Sequence, residues 1–77
     1  METRETHPRA EVMSAIRQDN IGWAFTLAQW YEDDLSEGAK IAICKSLNWY
    51  EGAGYHDMWY GNRLALKWGV FRKVHAR

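Results

Sequence analysis

Apolar residues recur at helical spacing along most of the chain, and the interruptions between the stripes predict where the helices stop. Val12, Met13, Ala15 and Ile16 form the first stripe, with Arg9, Ser14, Arg17 and Gln18 facing out. Pro8 suits the first turn of that helix, because its missing N–H would have no partner there. Asp19-Asn20-Ile21-Gly22 then weakens the pattern. Asn competes for backbone hydrogen bonds and tolerates the left-handed conformation, and Gly costs about 1 kcal/mol inside a helix. A break or kink is expected here. One continuous helix is the alternative, since Val12, Ile16, Trp23, Leu27 and Trp30 would keep a single stripe.

A second helix is expected from about Ile21 to Glu32. Its positions are apolar nearly all round, with only Thr26 and Gln29 interrupting. Such a helix has to be covered on most sides, so it is expected at the centre of the fold or partly under another chain. Glu32-Asp33-Asp34-Leu35 ends it. Asp34 with Glu37 three positions later fits a capping box for a third helix, and Ser36 is a competing cap. The third helix spans about Ser36 to Tyr50. Ala39, Ala42, Ile43, Ser46, Leu47 and Tyr50 share a face that Ile41 and Cys44 widen, and Lys40, Lys45 and Asn48 point out. Glu51-Gly52-Ala53-Gly54 is the clearest break in the chain, with Gly52 placed to close the helix in the left-handed conformation.

The last quarter supports two patterns. Asp57 can cap a helix through Met58, Trp59, Leu64, Ala65 and Trp68, with Gly69 past its end. Leu64, Leu66, Trp68 and Val70 also alternate with Ala65, Lys67 and Gly69, which is strand period. A lone strand needs a partner strand, and no other segment supplies one, so a strand here would imply pairing with a second copy. The favoured reading is helix to about Trp68 and a short extended or helical tail from Val70 to His75. The fold class expected is all-α: a small compact bundle of about four short helices in a single domain over residues 1–77, with residues 1–6 frayed and a short extended C-terminal segment as a variant.

Composition changes this picture in one respect. Five Trp, four Tyr and two Phe are a heavy load for 77 residues. Each large ring buries roughly 150–250 Å², so one reading is that the rings are the core of a domain too small to stabilise itself otherwise. The other is that some are kept for a partner. Asn48 to Asn62 holds five of the rings, Trp49, Tyr50, Tyr55, Trp59 and Tyr60, around the glycine break. Trp and Tyr are enriched at interaction hot spots. Trp49 and Trp59 are expected to pack inward while Tyr50, Tyr55 and Tyr60 look out. The candidate partner-binding set is Trp49, Tyr50, Tyr55, His56, Trp59 and Tyr60, with Glu32 and Asp33 as a flanking acidic patch.

Charge is balanced overall and uneven along the chain. Residues 18–62 carry seven acids against Lys40 and Lys45, whereas residues 63–77 carry Arg63, Lys67, Arg72, Lys73 and Arg77 with no acid. The basic segment can meet phosphate, an acidic partner or the chain's own acidic middle. Arg63, Lys67, Arg72 and Lys73, interleaved with Trp68 and Phe71, are the candidate nucleic-acid contacts of an alternative, transcription-regulatory reading. Catalysis finds no such support. His7, His56 and His75 share no ligand spacing with one another or with Cys44, and no nucleophile elbow, phosphate-cradling loop or dinucleotide fingerprint occurs. No metal site, cofactor or enzymatic activity is expected. One unpaired cysteine fits a reducing compartment. No segment reaches the roughly 18 apolar residues of a membrane span, and the N-terminus lacks a signal-peptide core. A cytoplasmic protein is therefore expected, working by occlusion or bridging of a protein partner, with self-association as a dimer a further expectation. Small, Trp-rich single domains are common among accessory proteins of phages and mobile elements, including inhibitors of host defence such as anti-CRISPR proteins. That association rests on size and composition alone.

Overall fold

The computed structural model describes residues 7–51 and 59–76. The expected fraying of residues 1–6, the left-handed Gly52, the Asp57 cap and the side chains of Tyr55 and His56 lie outside that range. Five helices form among the described residues, and the segment whose alternation suggested a strand is helical.

Helix α1 runs Pro8–Arg17, opening at the proline as expected. It closes with two crossed hydrogen bonds, Asp19 N–H to the Ile16 carbonyl and Asn20 N–H to the Ala15 carbonyl, both 2.9 Å. This closure requires a left-handed residue, and Asp19 takes it at φ 60. The chain therefore breaks where the sequence weakens, through Asp19 and not through Asn20 or Gly22. Helix α2, Ile21–Trp30, then returns against α1.

The buried face of α2 is narrow and made of small side chains, Ala24, Leu27 and Ala28. Helices meeting through alanine approach closely and leave no space for an indole between them. Trp23 and Trp30 accordingly stay outside, 44% and 67% exposed. The expectation of a central helix covered on most sides is corrected by this packing. The same holds for the core as a whole. Among the described residues it consists of Val12, Ala15, Ile16, Ala24, Leu27, Ala28, Leu35, Ala39, Ile43, Cys44, Leu47, Leu64, Ala65, Val70 and Val74, with no aromatic ring. Phe25, Tyr31, Tyr60, Trp68 and Phe71 pack around its margin.

A 3₁₀ turn, Glu32–Asp34, follows α2. Leu35 is extended and drops into the core. Ser36 is the cap of α3, its hydroxyl oxygen accepting the Ala39 N–H at 3.1 Å. The expected Asp34–Glu37 capping box is not formed, because Asp34 is used in the 3₁₀ turn. Helix α3, Glu37–Glu51, buries Ala39, Ile43, Cys44, Leu47 and Asn48. Its inner face is thus turned toward Cys44 and Asn48 relative to the face read from hydrophobicity. Asn48, expected to point out, is 4% exposed, and Tyr50, which the helical stripe put on the inner face and the aromatic cluster put outside, is 42% exposed.

Helix α4, Tyr60–Trp68, has Trp59 in the N-cap position. Trp59 has no side-chain oxygen to cap with, and the first turn is capped across the connection instead: Tyr60 N–H donates to Oε1 of Glu51, 2.9 Å away at the end of α3. A carboxylate there also complements the positive end of the α4 dipole. The helix stops at Gly69, left-handed at φ 72, as the sequence predicts. The Val70 N–H returns to the Ala65 carbonyl at 2.9 Å, and a short helix α5, Phe71–Val74, ends the described chain.

The turn of α3 has an identifiable cause where α4 crosses it. Gly61 lies so close to α3 that a Cβ built there would fall 2.6 Å from the Cys44 carbonyl oxygen and nearer still to the Asn48 side-chain oxygen. Beside this contact Asn48 Nδ2 donates to Oδ1 of Asn62, which is fully buried, at 2.7 Å. The same oxygen receives Nε2 of His75 at 2.7 Å. Since Asn62 Oδ1 can only accept, the Nε2 of His75 carries a proton. One buried amide oxygen thereby joins α3, α4 and the end of α5. No described helix is long and apolar enough to cross a membrane.

Two glycines sharing the same place in their helices should respond oppositely to a methyl group. Gly22 and Gly61 each occupy the second helical residue, but Gly22 has nothing within 4 Å of its would-be Cβ. Gly22→Ala should be neutral or stabilising by up to about 1 kcal/mol, from helix propensity alone. Gly61→Ala should destabilise by about 1–3 kcal/mol, since the methyl group would meet both the buried Asn48 side chain and the Cys44 backbone carbonyl. Thermal or urea unfolding followed by circular dichroism checks the opposite signs.

Candidate functional site

The last turns of α3 carry the most exposed ring of the described structure. Trp49 follows the buried Asn48 and is 71% exposed. Tyr50 stands beside it, ring centroids 5.2 Å apart and planes at 79°. This edge-to-face arrangement is the one aromatic quadrupoles favour. The rings are held on a helix and not on a loop, so their positions are set by the Asn48 and Leu47 side chains buried behind them. Next to Trp49 a cleft of about 190 Å³ opens between α3 and the C-terminal segment, lined by Lys45, Asn48, Trp49, Val74 and His75. Its floor is polar where Asn48 and His75 share the Asn62 oxygen. One wall is the indole. Lys45, one turn before Trp49, is exposed and makes no ion pair among the described residues.

A second exposed pair lies on α2. Trp23 and Trp30 meet edge-to-face, centroids 5.4 Å apart and planes at 84°. Trp23 also borders a polar hollow of about 300 Å³ between α1 and α2, with Glu11, Ser14, Gln18 and Asn20. The two tryptophans are seven positions apart, so they lie on one side of the helix two turns from each other. Taking the small-residue stripe Ala24, Leu27, Ala28 as the buried face would have placed them outside. Counting all apolar residues as core hid them.

The remaining sequence candidates divide. Trp49, expected to pack inward, points out. Tyr60, expected to look out, is half-buried and stacked on Phe25 with centroids 4.5 Å apart and planes at 23°. Trp59 is half-buried ahead of α4. Tyr55 and His56 fall outside the described residues. Asp33 is exposed, whereas Glu32 is engaged within the fold. Its Oε1 accepts the Trp68 indole N–H at 2.9 Å and pairs with Lys67 at 3.3 Å. Lys45, Val74, His75, Trp23 and Trp30 are not among the sequence candidates, and nothing in their spacing brings Lys45 and His75 together.

The basic segment meets the acidic one. Lys67 bonds Glu32 and, at 3.1 Å, the Gln29 side-chain oxygen. Lys73 pairs with Glu37. Arg63 lies over the Phe25 and Tyr60 rings, 5.2 and 5.9 Å from their centroids, and Lys40 lies over Trp68 at 5.5 Å. Of the four candidate nucleic-acid contacts, only the exposed Arg72 has no charged or aromatic partner among the described residues. No family model, curated protein or solved structure matches this chain.

Two titratable groups depart from their ordinary values in ways that bear on the chemistry. The Trp68 indole N–H, and after it Lys67, holds the Glu32 carboxyl below the usual carboxylate range. Burial pushes the Cys44 thiol up to about 12. A thiol so protonated is a poor nucleophile, and Cys44 packs as a small apolar residue. Among the described residues no group of three or more His, Cys, Asp or Glu is placed to hold a metal ion.

Glu32→Gln should lower Tm by a few degrees at pH 7. A depressed carboxyl stabilises the fold above its unfolded value near 4.5, and that stabilisation is lost as pH falls through the folded value. The gap between wild type and variant in thermal melts should thus close in acid. Cys44 should react with Ellman's reagent at pH 8 at least about a hundredfold more slowly in the folded chain than in urea, followed by absorbance at 412 nm.

Proposed function

We propose that this chain is a non-enzymatic protein-binding module, acting by occlusion or bridging of a protein partner, with Trp49 and Tyr50 as its anchor. The observation that carries this reading is the exposure of a tryptophan on a rigid helix beside a cleft. Covering one large ring removes roughly 150–250 Å² from water. At about 25 cal/mol per Å², that is worth several kcal/mol before ordering costs. The ring already packs edge-to-face on Tyr50, a contact that a partner can extend. Such pre-placed aromatic residues dominate interface energetics.

The α2 pair supports bridging in particular. Trp23 and Trp30 sit on a different helix from Trp49 and Tyr50, so the molecule offers two aromatic anchors that need not serve the same partner. The mutual pairing of the acidic and basic segments favours this reading over nucleic-acid binding, because phosphate contacts would compete with Glu32 and Glu37 for Lys67 and Lys73.

Affinity capture from the native host, read by mass spectrometry, tests the proposal. Trp49→Ala with Tyr50→Ala should reduce recovery of the co-purifying protein by about tenfold or more, with circular dichroism and Tm unchanged because both rings are exposed. Trp23→Ala with Trp30→Ala should reduce recovery of a second species or, if the partner is another copy, shift the mass seen by light scattering. Equal recovery by wild type and both double variants would remove the proposal.

A further inference from the structure

Resting on the protein-binding reading, we infer that the Trp49 cleft takes an acidic peptide segment: one large apolar side chain against Trp49 and Val74, with an adjacent Asp or Glu carboxylate on Lys45. Three observations lead there. The first is size. A whole small-molecule ligand or cofactor occupies a pocket of about 300–1,000 Å³. A cleft of about 190 Å³ holds a single large side chain, which suits a residue projecting from a larger partner.

The second is the division of the lining. Trp49 and Val74 are apolar, and Trp49 keeps most of its ring in water. At the base, Asn48 through Nδ2 and His75 through Nε2 are engaged by Asn62, and Asn48 Oδ1 is turned away from solvent toward Gly61, with no hydrogen-bond partner among the described residues. An apolar group can therefore enter without displacing hydrogen bonds that the fold needs.

The third is charge. Among the described lining residues Lys45 is the one lysine or arginine, and none is an acid. The other lysines described are engaged: Lys67 with Glu32, Lys73 with Glu37, and Lys40 over Trp68. Of the described lysines, Lys45 alone stands exposed without an acidic or aromatic partner, at the rim of the cleft and one turn from Trp49. An anion bound there gains a charge-assisted hydrogen bond, with no described carboxylate to displace. A single cation with an apolar pocket matches a peptide carboxylate beside a hydrophobic side chain. A nucleic-acid strand would call for a row of such cations.

Selection of random peptides displayed on phage against the full chain tests this even while the natural partner is unidentified. Enriched peptides should carry Asp or Glu next to a large apolar residue. Their synthetic forms, titrated by NMR, should shift the Trp49 indole and His75 ring signals. Lys45→Glu should weaken them at least about tenfold and favour versions with Lys in place of the acid, while Trp49→Ala should weaken both. Circular dichroism of each variant controls for folding, which exposed positions should not disturb. Enriched peptides without acids, affinity indifferent to Lys45→Glu, or shifts centred on Trp23 and Trp30 would each overturn the inference. So would tighter binding of a single-stranded oligonucleotide at the same residues. Capture of the host protein that depends on Trp49 but not on Lys45 would sink the acidic peptide and leave the protein-binding reading standing. Capture independent of Trp49 would sink both.

Discussion

The close crossing of α4 over α3 is the contact from which the rest of the arrangement follows. It exists because Gly61 has no side chain, which lets two backbones approach to a distance that a single methyl group would forbid. The approach in turn brings Asn48 and Asn62 within hydrogen-bonding distance, and the end of α5 closes over them through His75. A buried amide pair is costly unless each member is bonded, so this network also penalises any rotation of α3 that would turn Asn48 out. Trp49 and Tyr50 are exposed as a direct consequence. With Asn48 held inward, the next two positions along the helix have to face water.

The second organising feature is the use of small side chains where the helices meet. Ala15, Ala24, Ala28, Ala39 and Ala65 are all buried. Alanine contacts draw helix axes together and make a thin core, which has no room for rings. The rings then form a collar: Phe25, Tyr31, Tyr60, Trp68 and Phe71 cover the seams, two of them with their polar tips bonded. Tyr31 donates its hydroxyl to Glu11 at 2.9 Å, and Trp68 its indole N–H to Glu32. Of the other described rings, Trp59 is half-buried, and Trp23, Trp30, Trp49 and Tyr50 are left as two solvent-facing pairs. The proposed function concerns that remainder of apolar surface.

Charge follows the same logic. An acidic middle and a basic end look like two binding patches when the chain is read in a line. Folded, α4 and α5 lie so that Lys67 and Lys73 reach Glu32 and Glu37. These pairs are exposed and contribute little each. Their effect is to neutralise two would-be patches at once. Lys45, on the inner part of the chain where the sequence is acidic, stands apart from that compensation.

The sequence by itself determined the helical class, the break after α1, the stop at Gly69 and most of the apolar core. Each depends on local chemistry: periodicity, proline at a first turn, glycine at a left-handed position, and weak helix formers in a row. On α3 it placed Ala39, Ile43, Cys44 and Leu47 inward, but it did not determine that Asn48 would join them, that α2 would present tryptophans to water, or that Lys45 and His75 share a cleft. Hydrophobicity ranks Asn48 as an outward residue and Trp49 as an inward one, and both ranks are reversed. The reason is that side-chain polarity sets only the cost of burial, whereas the steric gap at Gly61 and a partner amide thirteen residues beyond Trp49 decide whether that cost is met. Those two conditions come into being only when α4 is laid across α3, and no reading of one helix at a time contains them.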